Sequence, residues 1–115
     1  MKILVIIPFF GQWPEWIEYY LQACAYNTSL QWLLVGDGQE PEHLPDNIRL
    51  ENMSLGEFNI LASNKLGLSI DYQNPYKICD LRPAFGVIFS DFIKGYGFWG
   101  YADLDVIFGN ISSFL

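Results

Sequence analysis

Hydrophobic residues fall into short blocks whose spacing changes from one block to the next, and each change marks an element. Ile3-Leu4-Val5-Ile6-Ile7 is an unbroken aliphatic run, which predicts a strand covered on both faces, as in a parallel sheet. Pro8 ends it, and Gly11 and Pro14 mark a loop. Trp16, Ile17, Tyr20, Leu21 and Cys24 then recur at helical spacing. Pro14 suits the first helical turn, and Glu15 and Glu18 suit the positive end of the helix dipole. Trp32-Leu33-Leu34-Val35 predicts a second buried strand, closed by Gly36-Asp37-Gly38.

Gln39 to Asn47 holds two prolines and three acids and reads as loop. Ile48 to Met53 predicts a short third strand. Ser54 followed by Glu57 matches a capping box for a helix running to about Leu66. Ile70 to Tyr76 carries no clear pattern. Asp80 fits the N-cap of a further helix, with Pro83 in its first turn and Phe85, Ile88, Phe89, Phe92 and Ile93 on its buried face. Gly95 and Gly97 end that helix. The order β-α-β-loop-β-α-α-β predicts an α/β sandwich with a mainly parallel sheet. Ligands of such sheets bind outside the carboxyl ends of the strands. Three polar clusters fall there: the Pro8 to Gln12 loop, Asp37, and the pair Asp103 and Asp105.

That pair sits in Phe98-Trp99-Gly100-Tyr101-Ala102-Asp103-Leu104-Asp105-Val106-Ile107-Phe108-Gly109, an apolar and aromatic run that predicts a buried strand. Residues i and i+2 of a strand face one side, roughly 6–7 Å apart. Asp103 and Asp105 therefore converge, while Leu104 turns into the core. Two like charges buried together need a positive partner. A divalent cation with a preference for hard oxygen ligands, Mg²⁺ or Mn²⁺, meets that need.

Composition narrows the field. The chain has 115 residues, 51% of them hydrophobic and 17% aromatic, enough for one well-buried domain spanning 1–115. Six Lys and Arg stand against thirteen Asp and Glu, a net charge of −7. Such a field repels phosphate backbones and argues against a nucleic-acid partner. Cys24 and Cys79 lie in no CxxC or zinc spacing and read as reduced, buried thiols, in keeping with a cytoplasmic protein. The run Ile3 to Phe10 is far short of the ~20 residues of a membrane span and has no small-residue cleavage site.

The N-terminal strand, the acid after the second strand and the late hydrophobic-DxD strand together resemble a glycosyltransferase of the GT-A fold. The stretch from Lys77-Ile78-Cys79-Asp80-Leu81-Arg82-Pro83 to Gly109-Asn110-Ile111 is similar to bacterial glycosyltransferase-like proteins of surface-polysaccharide type. These carry a K-x-C-D-x-(R/K)-P helix start and a (Y/F)-W-G-Y-x-D-x-D strand. Galactosyltransferase-like GT-A enzymes show an analogous order of arginine, L-D-x-D strand and G-(D/N)-(I/L) turn. The resemblance spans essentially the whole chain and implies a Rossmann-like three-layer α/β/α sandwich.

The implied activity is transfer of a sugar from a nucleoside diphosphate sugar, a UDP-sugar foremost, to a glycan or lipid-linked acceptor in polysaccharide biosynthesis. Mn²⁺ or Mg²⁺ on Asp103 and Asp105 would bridge the diphosphate oxygens, and Asp103 would also reach ribose or sugar. Asp37 would contact the base, Pro8, Phe9 and Phe10 would wall the nucleotide pocket, and Arg82 and Lys77 would face the diphosphate or donor sugar. Plainer roles stand beside these. Asp37 fits a turn acid, Phe9 and Phe10 fit loop packing, Arg82 fits a surface pair with Asp80 or a Glu, and the aspartates fit turn caps. Trp99 and Tyr101 are assigned to the core.

A full GT-A domain has more than twice this length, and its remainder supplies acceptor binding, the base of inverting members and often a late histidine ligand. Here ten residues follow Asp105, and the one histidine, His43, reads as a solvated loop residue. The expectation is a truncated, donor-binding half with no assigned catalytic residue and little or no turnover on its own. It would lie in the cytoplasm, at the inner face of the membrane, with an apolar sheet edge that invites self-association. Two other readings use the same residues. One is a non-catalytic binding or assembly remnant of the fold. The other is a phosphohydrolase of haloacid-dehalogenase type, in which the first Asp of D-x-D attacks phosphorus; that family sets its motif on the first strand.

Overall fold

The computed structural model describes residues 2–104. Four strands, β1 (Ile3–Pro8), β2 (Leu30–Gly36), β3 (Ile48–Asn52) and β4 (Phe98–Tyr101), form one sheet in the order β3-β2-β1-β4. Each of its three pairings is parallel. Ile3 of β1 stands opposite Leu30 of β2 on one side and opposite Phe98 of β4 on the other. The fold is therefore α/β, with the aliphatic run of β1 covered on both faces.

Alternation along β1 divides the core in two. Leu4 and Ile6 pack with Phe58 and Ala62 of α2 (Leu55–Leu66) and with Phe85 and Ile88 of α3 (Phe85–Ile88). Ile7, flanked by Ile3 and Val5, packs with Tyr20, Leu21 and Cys24 of α1 (Ile17–Tyr26). Leu104 joins this second cluster and is 6% exposed, as its place between the two aspartates predicts. The capping box of α2 forms in both directions. The Glu57 N–H donates to Ser54 Oγ at 3.1 Å, and the Ser54 N–H donates to Glu57 Oε1 at 3.2 Å.

The stretch expected as a helix from Asp80 departs from expectation. Helical turns begin earlier, at Pro75, where the Asn74 side chain accepts the Tyr76 N–H at 3.0 Å. Pro75–Ala84 is a 3₁₀ segment, with Pro83 inside it. A proline has no N–H to donate and its ring crowds the carbonyl four residues back, which disfavours an α-helix. The apolar stripe then continues through two single turns, α3 and α4 (Ser90–Ile93), with Phe85, Ile88 and Phe89 buried. β4 also differs from the buried strand predicted. Phe98 and Tyr101 are exposed, and the strand stops at Tyr101, so Asp103 lies beyond its end. Cys79 is exposed where the sequence suggested a buried thiol. Among the described residues, no helix is long and apolar enough to cross a membrane.

Candidate functional site

Between β1 and β4 the chain order of the sheet reverses. β1 leads through α1 to β2 on one side, whereas β4 is reached only after α2 and the 3₁₀ segment. Loops leaving the carboxyl ends of two such strands part in opposite directions and open a crevice. A cavity of about 640 Å³ occupies this position, within the usual size range of small-molecule sites.

Three separate segments line it. Pro8, Phe9 and Phe10 follow β1, and Pro14 and Trp16 lead into α1. Tyr76, Ile78, Cys79 and Arg82 come from the 3₁₀ segment, followed by Phe85 of α3. Asp103 and Leu104 follow β4. Phe9 and Phe10 both line the cavity and pack against neighbouring rings. Phe9 stacks on Trp13 with ring centroids 5.5 Å apart, and Phe10 meets Phe58 edge-on at 5.7 Å. Gly36 makes the Phe9 position possible, since a Cβ there would collide with the Phe9 carbonyl.

Among the described lining residues, Arg82 is the one cation and Asp103 the one carboxylate. They form an ion pair, Arg82 Nη2 donating to Asp103 Oδ1. The surface pairing of Arg82 with Asp80 thus gives way to a partner brought in by β4. The guanidinium also lies over the Tyr101 ring, its Cζ 5.0 Å from the centroid. The buried Tyr20 hydroxyl donates to the Asp103 main-chain carbonyl at 3.1 Å, which fixes the backbone of this turn to α1. Burial pushes the neighbouring Cys24 thiol up to about 12, a rise that its hydrogen bond with Tyr20 partly offsets.

Five of the eight residues singled out in the sequence therefore meet: Pro8, Phe9, Phe10, Arg82 and Asp103. Asp37 does not line the cavity. Its Oδ1 accepts the Gly11 N–H at 2.7 Å, holding the turn after β1, where Gly11 adopts φ +107°. Such a φ favours glycine. Lys77 is exposed and also stands off the lining. Asp105 lies outside the described residues. Trp16, Tyr76 and Cys79 were not foreseen as lining, because Ile70 to Tyr76 carries no periodicity and Trp16 reads as part of a core stripe. Asn74-Pro75, a side-chain cap followed by a first-turn proline, was the available signal.

Asp103 is half-exposed at the cavity and offers hard oxygen chemistry that fits one ligand position of Mg²⁺ or Mn²⁺. These ions take one or two carboxylates and keep room for phosphate oxygens. Among the described residues, no group of three or more His, Cys, Asp or Glu side chains gathers to hold a metal. A family model described as "Family of unknown function (DUF6625)" matches residues 5–115. No curated protein and no solved structure matches the chain.

Proposed function

The chain belongs to this family of unknown function, DUF6625, and from that premise we propose that its cavity binds a nucleoside diphosphate sugar. It would serve as the donor-binding part of a glycosyltransferase of GT-A type. The observation that carries this reading is the convergence of Pro8 to Phe10, Arg82 and Asp103 on one cavity at the carboxyl ends of β1 and β4. Open parallel sheets bind nucleotides at that place.

The lining divides the ligand by chemistry. Phe9, Phe10 and Trp16 offer apolar area to the base and exclude water. Arg82 presents planar N–H donors matched to phosphate oxygens. Asp103 and Asp105 would hold Mn²⁺ or Mg²⁺, which when bound offsets the charge developing on the departing diphosphate. Tyr20 keeps the Asp103 backbone in place for that task. A UDP-sugar is the first donor to test, and a glycan or lipid-linked hydroxyl is the acceptor class.

Titration calorimetry with UDP-, GDP- and CDP-sugars, with and without Mn²⁺, tests the reading. Metal-dependent binding is expected, lost in Asp105→Asn and weakened about tenfold or more in Arg82→Ala. Equal binding by Asp105→Asn would remove the metal from the scheme. Absence of nucleotide-sugar binding under every condition would leave the assembly reading in its place. Phosphate release from a simple ester, with covalent labelling of Asp103, would favour the phosphohydrolase.

A further inference from the structure

Arg82 is held from two sides. Its guanidinium lies over the Tyr101 ring and its side chain is 28% exposed, against 52% for its partner Asp103. Asp103 is held differently. Its backbone is tied to α1 through the Tyr20 hydroxyl, while among the described residues its carboxylate pairs with Arg82. The two halves of the pair therefore differ in freedom. The cation is packed against a ring at the cavity wall, whereas the more exposed carboxylate hangs from a backbone that is held independently of it.

A carboxylate and a phosphate make the same demand on a guanidinium, namely two oxygens facing a planar fork of N–H donors. We infer that Asp103 is a gate on Arg82: its carboxylate occupies the place of an incoming phosphate, and an anionic ligand enters by displacing it. The inference rests on the reading of the cavity as a diphosphate site. It adds that the site selects against weak single anions, which must part an existing ion pair in a protein of net charge −7. A ligand that engages Arg82 and the aromatic wall together overcomes both.

The gate makes a prediction opposite in sign to a simple binding role. In low-salt buffer freed of divalent cations, Asp103→Asn is expected to bind inorganic pyrophosphate roughly three- to tenfold more tightly than the wild type, the range for a partly exposed ion pair plus relief of like-charge repulsion. Adding Arg82→Gln to that variant should abolish the gain. Glu40→Gln, which removes one negative charge from an exposed loop outside the cavity, should bring no gain. Asp103→Ser provides a second reading, and circular dichroism checks the fold of each variant.

The proposal is overturned if Asp103→Asn and Asp103→Ser gain nothing. It is overturned equally if the gain survives in the double variant or is matched by Glu40→Gln. Loss of the native spectrum in both single variants would make Asp103 a folding residue instead of a gate, and would also end the proposal. Nucleotide-sugar binding with Mn²⁺ but no pyrophosphate gain removes the gate and leaves the donor reading. The converse result supports the gate and removes the donor reading.

Discussion

Replacing Asn59 by Ala should loosen the wall that carries Arg82. Asn59 is 6% exposed on α2, and its amide clasps one residue of the irregular segment that follows. Its Nδ2 donates to the Tyr72 carbonyl at 3.0 Å, and its Oδ1 accepts the Tyr72 N–H at 3.1 Å. Ser63, one turn further along, repeats the pattern on Ile70. Its Oγ accepts the Ile70 N–H at 2.9 Å and donates to the Ile70 carbonyl at 3.1 Å. These side chains do for this segment what a helix or sheet ladder does elsewhere. A net hydrogen bond contributes about 1 kcal/mol. Tyr72 is half-buried, so its freed groups regain some contact with water. The expected loss in Asn59→Ala is then about 2 kcal/mol, or a Tm lower by about 8 °C for a chain of this size. Urea unfolding followed by circular dichroism measures it, with the m value unchanged. Asn59→Asp should lose as much, because a carboxylate would face the Tyr72 carbonyl. A loss below about 0.5 kcal/mol in Asn59→Ala would refute the claim that the clasp holds the segment.

Two further outcomes follow from packing and burial. Gly36→Ala should cost about 1–3 kcal/mol, because the new Cβ displaces the Phe9 carbonyl and with it one cavity wall; wild-type stability in urea would contradict that contact. The Cys24 thiol is held protonated in the fold, since burial raises it from 9.0 to about 12, whereas the unfolded chain ionises near the lower value. Its contribution is therefore complete below about pH 9 and is lost as pH rises toward 12, with a slope of up to about 1.4 kcal/mol per pH unit. Cys24→Ala should flatten that alkaline limb in urea melts taken across this range. An unchanged limb would show that another group sets it.

What the sequence disclosed depended on how local the cause was. The strand β1, the strand β2 and the capping box of α2 are each specified by adjacent residues, and each appears where its pattern lies. The 3₁₀ segment is not so specified, because Asp80 and Asn74 both offer an N-cap and the prolines at 75 and 83 decide between them. Arg82 shows the limit more sharply. Asp80 is its neighbour in the chain, yet its partner is Asp103, and only the pairing of β4 with β1 brings that carboxylate across. Asp37 sits at the foreseen end of the sheet but spends its oxygen on the Gly11 turn, a contact set by the path of the loop after β1.

The pairing of Ile3 with both Leu30 and Phe98 has a consequence for when the cavity is complete. One flank of the central strand pairs with nearby β2, and the other waits until the distant β4 has been made. Such non-local closure is slow. Asp103 follows β4, so the cavity gains its carboxylate only when β4 docks on β1, and anything that binds the closed form would favour that docking. Whatever occupies the cavity would then report that the sheet has closed on both flanks of β1.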